Sequence, residues 1–122
     1  MGYRSEVRAS TTERGYALLL EKCDTLNAEK GVRRPLLGTG AAPDEEWIGD
    51  GCVAFGWHGV KWFDCFADVA VVVEAMEAVR AAGEPLCLVR EGEDSDDFES
   101  CGAAEGLAVF PIQAAESGQE RA

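Results

Sequence analysis

The sequence predicts an α+β fold, an antiparallel sheet with a central hairpin and two helices packed on one of its faces. Two segments repeat apolar residues at helical intervals, and several shorter ones have strand character. At 122 residues, 47% of them hydrophobic, the chain suffices for one core of two helices on a sheet and not for a second domain. Residues 1–113 are expected to form that single domain and residues 114–122 a flexible tail.

"GYRSEVRA" opens as a strand, with Tyr3, Ser5, Val7 and Ala9 on one side and Arg4, Glu6 and Arg8 on the other. "STTERGYALLLEKCDTLNAEKG" follows as an amphipathic helix. Ser10 and Glu13 have capping-box spacing, Tyr16, Leu19, Leu20, Cys23 and Leu26 recur at helical intervals, and Gly31 is the stop signal. "VRRPLL" is a short extended segment that Pro35 confines to a sheet edge. "GTGAAPDEE" is a loop whose Gly-Thr-Gly lacks the Gly-Lys-Ser/Thr continuation of a phosphate-binding loop.

"VAFGWHGVKWF", Val53 to Phe63, holds four aromatic residues, two of the three tryptophans and the only histidine. Laid out as one strand it puts aromatic rings on both faces. Folded as a hairpin turning at His58-Gly59, it gathers Val53, Phe55, Trp57, Val60 and Trp62 on one face, a core wall beneath the helices. His58 is then exposed at the turn tip, without the nucleophile and orienting group that a catalytic histidine requires. "ADVAVVVEAMEAVRAAG" is the second helix, with Asp64 or Asp68 near its start, Gly83 at its end and a stripe of Val69, Val72, Val73, Met76 and Val79. "PLCLVR" and "GLAVFPIQ" read as strands bracketing an acidic run, the second placed at an edge by Pro111.

Composition narrows the function classes. There is no 18-residue apolar run, and "ALLL" is too short for the apolar part of an export signal, so a cytoplasmic protein is expected. The cysteines Cys23, Cys52, Cys65, Cys87 and Cys101 are odd in number, widely spaced and without a CxxC pair, a pattern that suits neither a disulfide framework nor a zinc site. They read mostly as small buried hydrophobes. Net charge is -12, and residues 44–122 carry eighteen Asp/Glu against four Lys/Arg. Such a surface repels nucleic acid and anionic membrane and attracts basic partners.

"MGYRSEV", "FGWHGVKWF" and the valine-rich helix together resemble a set of small uncharacterised phage and prophage proteins. These begin Gly-Tyr-Arg-Ser-acid-Val and carry a Phe-Gly-Trp, then Lys-Trp-aromatic, segment. The resemblance implies a viral or prophage origin and carries no chemistry with it.

The candidate site is "EGEDSDDFES", Glu91 to Ser100, with six carboxylates and no base. As a calcium loop starting at Asp94 it fails, because Phe98 falls at the fifth position and Glu99 at the sixth, where a ligand and a glycine are needed. It is then either a solvated acidic loop or a surface in which carboxylates take the place of nucleic-acid phosphates. The second reading makes the chain a non-enzymatic phage-type inhibitor of a host nucleic-acid-handling or defence protein, of anti-CRISPR or anti-restriction type. It would bind through Glu91, Glu93, Asp94, Asp96, Asp97 and Glu99 with Phe98 as apolar anchor, and through Asp44, Glu45 and Glu46 as a second patch. This reading calls for no cofactor, metal, direct nucleic-acid contact or membrane. Two alternatives stand beside it: a small enzyme with Cys52 or Cys65 as nucleophile and His58 as base, and a structural or regulatory oligomer using an exposed edge strand.

Overall fold

The computed structural model describes residues 3–63, 65–94 and 96–102. Asp50 and Gly51 both take positive φ, 55° and 76°, as a two-residue type I′ hairpin requires, and Asp-Gly is among the pairs that adopt it most readily. They join β2 (Glu45–Gly49) to β3 (Cys52–Val60), which pair antiparallel from Gly49↔Cys52 to Glu45↔Gly56. β1 (Ser5–Thr12) lies along the other side of β3, followed by β4 (Leu86–Glu91) and β5 (Phe98–Gly102). Among the described residues the sheet has five strands in the order β2-β3-β1-β4-β5, with every neighbouring pair antiparallel.

The predicted fold class is thus the one adopted, but the hairpin is not where the aromatic pattern put it. Residues 52–60 form one unbroken strand, and His58-Gly59 lies within it. The chain leaves the sheet after Val60, so residues 61–63 do not enter the alternation that made a single strand look unsorted. Within the strand the faces are clean. Val53, Phe55 and Trp57 belong to the core beneath the helices, and the small residues Ala54 and Gly56 take the other side. Trp62 still returns to Trp57, with ring centroids 5.8 Å apart, and packs half-buried against the same core.

α1 (Glu13–Lys30) follows β1 without a loop. Its cap is Thr12 rather than Ser10, because the strand continues through Ser10. The Thr12 Oγ1 accepts from the Gly15 amide at 2.9 Å. Gly31 ends the helix in the left-handed conformation, φ 64°. α2 (Ala67–Ala81) begins at Phe66, with no side-chain cap and Asp68 in its first turn, and Gly83 lies just beyond its end. Leu19, Cys23 and Leu26 of α1 and Val71, Val72, Ala75, Met76 and Val79 of α2 close over Val7, Phe55, Trp57, Leu86 and Leu88 of the sheet. Both helices therefore cover one face.

The segment from Val32 to Leu37 is irregular rather than a strand, and it is held by the Trp57 indole, whose Nε1 donates to the Leu36 carbonyl at 3.2 Å. Two strands went unanticipated, β2 and β5, and the second takes up the last residues of the acidic run. The predicted strand over "GLAVFPIQ" and the tail lie outside the described residues. No helix among the described residues is long and apolar enough to cross a membrane.

Candidate interaction surface

Because every pairing is antiparallel, β1, β2 and β5 begin at the same end of the sheet at which β3 and β4 finish. That end collects both acidic stretches, which are distant in sequence. On the face away from the helices a row of polar side chains crosses the strands there. Glu45 starts β2, His58 is near the end of β3, Glu6 is near the start of β1 and Glu91 ends β4. Phe98, directly opposite Glu91 on β5, shares its side and is 59% exposed. At about 4.8 Å per strand, the row from Glu45 to Glu91 spans roughly 14 Å.

The row holds together through its cations. Glu6 and Glu91 are direct cross-strand partners, a like-charge arrangement that is unfavourable by itself. Arg8, buried on the same side, reaches both at 3.9 Å. His58 serves the other end, its Nδ1 lying 2.6 Å from Glu6 Oε1 and its Nε2 2.5 Å from Glu45 Oε2. Both ring nitrogens can donate at once only in the imidazolium form, so Glu6 foremost raises the pKa of His58 above its ordinary value, with desolvation opposing it and Glu45 adding a lesser contribution upward. The backbone joins in: the His58 amide donates to Asp44 Oδ2 at 2.7 Å, and the Gly59 amide to Glu6 Oε2 at 3.0 Å.

The acidic run itself is the tight connection of the β4–β5 hairpin. The Gly92 amide donates to the Asp97 carbonyl at 2.8 Å and the Asp97 amide to the Asp94 carbonyl at 3.0 Å. Its carboxylates have different duties. Arg90 donates from Nη2 to Asp97 at 2.8 Å, from Nε to Glu99 at 2.8 Å and from Nη1 to Ser5 Oγ at 3.0 Å. The Tyr3 hydroxyl also donates to Asp97. Arg90 foremost, with Tyr3 behind it, holds the Asp97 carboxyl below the usual carboxylate range. Glu93 accepts from the Arg4 amide at 2.7 Å. Asp94 and Asp96 are exposed, and the side chain of Glu46, also exposed, accepts from the Tyr16 hydroxyl.

Asp97 and Glu99 are accordingly engaged within the molecule, whereas Glu93, Asp94, Asp96 and Glu46 are exposed and, among the described residues, have no cation against them. Sequence reasoning missed Tyr3, Glu6, Arg8, His58 and Arg90 as parts of this end. A signal existed in the alternation of Glu6 and Arg8 away from Val7, but their partners on β3 and β4 become visible only once the strand order is known.

The cysteines are dispersed. Cys23 and Cys52 are buried, Cys87 is half-buried and Cys65 is exposed. Burial, with a lesser effect from Asp24, pushes the Cys23 thiol up to about 12. Cys52 and His58 sit six residues apart on one continuous strand, roughly 20 Å, so they cannot act as nucleophile and base together. Among the described residues, no group of His, Cys, Asp and Glu side chains could hold a metal ion. Comparison of the chain with protein-family models, with curated proteins and with solved structures finds no match.

Proposed function

We propose that this chain is a non-enzymatic binding protein whose acidic sheet end occupies the basic, phosphate-accepting surface of a nucleic-acid-handling or defence protein in a bacterial host cell, as an inhibitor of anti-CRISPR or anti-restriction type. The convergence of the 44–46 and 91–99 stretches on one end of the sheet, joined through His58, Glu6 and Arg8, carries this reading. A run that merely aided solubility would have no need to meet a second acidic stretch.

The physical logic is electrostatic. Carboxylates recurring across neighbouring strands at about 5–10 Å form a fixed array, and Arg8, His58 and Arg90 neutralise only those needed to hold the array rigid. Glu93, Asp94, Asp96 and Glu46 remain to steer a basic partner over about a Debye length, roughly 8 Å at physiological ionic strength.

Capture from bacterial lysate on the immobilised chain, with elution by stepped sodium chloride, tests the reading. A nucleic-acid-binding protein released by salt, displaced by duplex DNA and poorly retained by the Glu93→Gln, Asp94→Asn, Asp96→Asn triple variant is the expected result. Retention that ignores salt, DNA and these substitutions counts against it.

A further inference from the structure

On the helix side of the same sheet end, between α2 and the starts of β1 and β5, lies a cavity of about 370 Å³. Its apolar wall is Trp62, Phe63, Val73, Met76 and Leu88, and its polar wall is led by Arg90 with Asp97 and Glu99. The guanidinium of Arg90 is already bonded to both carboxylates and to Ser5. With Arg80 also at the wall, two cations face two anions among the described lining residues. The interior is therefore close to neutral, whereas the turn beside it, with Glu93, Asp94 and Asp96, is strongly acidic.

A neutral, aromatic-lined hollow with an acidic surround suits one kind of occupant. Its volume lies at the low end of the range for ligand pockets, enough for one large side chain. Trp62 and Phe63 supply aromatic rings to the lining and Met76 a polarisable thioether, all of which favour an aromatic guest. A charged guest would gain nothing from Arg90, whose partners are inside the molecule, and would lose its hydration.

We infer that this cavity receives an aromatic side chain of the basic partner, with Lys or Arg residues flanking that side chain against Glu93, Asp94 and Asp96. The inference rests on the acidic-surface reading above. It adds the anchor that such a surface lacks, since charge fixes approach and register while a buried aromatic group supplies much of the affinity.

The test uses the full chain and three fluorescein-labelled heptapeptides: Lys-Arg-Lys-Phe-Lys-Arg-Lys, the same peptide with Ala in place of Phe, and Glu-Asp-Glu-Phe-Glu-Asp-Glu. Anisotropy should show the basic Phe peptide binding about tenfold more tightly than its Ala counterpart, and the acidic peptide not binding. In the wild-type protein the Met76 methyl and Trp62 indole NMR signals should shift with the Phe peptide and stay in place with the Ala peptide. Val73→Trp, which fills the cavity from its half-buried wall, should erase the Phe advantage and keep the salt-dependent binding of the Ala peptide. Equal binding of the two basic peptides, or Phe binding that leaves Met76 and Trp62 unmoved, overturns the cavity and spares the acidic surface. Equal binding of the acidic and basic Phe peptides overturns both, whereas a cavity closed by self-association, seen as a concentration-dependent mass that Val73→Trp abolishes, overturns the cavity alone.

Discussion

The imidazole of His58 on β3 is hydrogen-bonded to the carboxylate of Glu6 on β1 at 2.6 Å, and this pair is ionic only while the ring is protonated. Glu45 on the far side and Arg8, bound to Glu6 and Glu91, complete the charged surroundings, with the Asp44 carboxylate on the His58 amide. The folded-state pKa of His58 is raised above its ordinary 6.5. Its contribution to stability is therefore fully present below about pH 6.5 and is lost as pH rises through the higher folded-state value. Because His58 is the only histidine, one ring-proton resonance reports it without ambiguity. That resonance should titrate above 6.5, and the urea midpoint should fall on the alkaline side of the titration in wild type and stay flat in His58→Gln. A titration below 6.5 would show that the two carboxylates do not grip the ring. The effect on stability is small, since the ring is half exposed and solvent screens the pair.

Asp97 and Asp96 are neighbours with opposite roles. Asp97 binds Arg90 and Tyr3, whereas Asp96 points outward. Asp97→Asn should lower the thermal midpoint and Asp96→Asn should leave it in place or raise it slightly by relieving like-charge repulsion. Since the folded-state pKa of Asp97 is depressed, its contribution is present above the ordinary 3.8 and lost as pH falls through the lower folded value. The midpoint gap between wild type and Asp97→Asn should consequently close in strong acid. Gly92 belongs to the same corner, because a Cβ there would collide with the Asp97 carboxylate and the Tyr3 hydroxyl. Gly92→Ala should resemble Asp97→Asn, and a Gly92→Ala protein of wild-type midpoint would refute this account.

The turn between β2 and β3 gives a prediction for the fold. Gly51 holds φ 76°, where a β-branched residue is strained by about 1–2 kcal/mol. Gly51→Val should destabilise the protein by about that amount, and Gly59→Val, at φ 58° within β3, should also be unfavourable without disturbing the β2–β3 register. Backbone amide exchange separates them, with faster exchange across β2 expected for Gly51→Val alone.

The helices were legible in the sequence because their apolar residues recur at 3.6-residue intervals regardless of what they pack against, so Leu19, Cys23, Val72 and Met76 were all placed correctly on core faces. The aromatic cluster was legible as core for the same reason, Phe55 being fully buried and Trp57 nearly so. Its chain path was not. Asp50-Gly51 is a better turn than His58-Gly59, yet the aromatic residues beyond Val60 read as a returning strand, whereas they return as a loop that sets Trp62 against Trp57 with the rings tilted by 33°. At the acidic end the residues were visible and their partners were not. The pairings Glu6↔Glu91 and Arg90↔Glu99 depend on strand order, which local periodicity does not encode.

Kinetics can separate steering from anchoring at the proposed surface. The triple variant Glu93→Gln, Asp94→Asn, Asp96→Asn removes charges that hold no cation among the described residues, so its midpoint should match wild type. Against the protein recovered by salt elution, its association rate should fall by about tenfold at low salt, with a shallower dependence on ionic strength and a dissociation rate nearly unchanged. Phe98, opposite Glu91 and 59% exposed, makes the contrasting case. Phe98→Ala removes apolar contact area and no charge, so it should speed dissociation and leave the salt slope alone. Surface-plasmon measurements at several sodium chloride concentrations distinguish the two. If the triple variant associates at the wild-type rate, the turn is a solvated loop, and binding must be sought through the Phe98 face or the cavity lined by Trp62 and Met76.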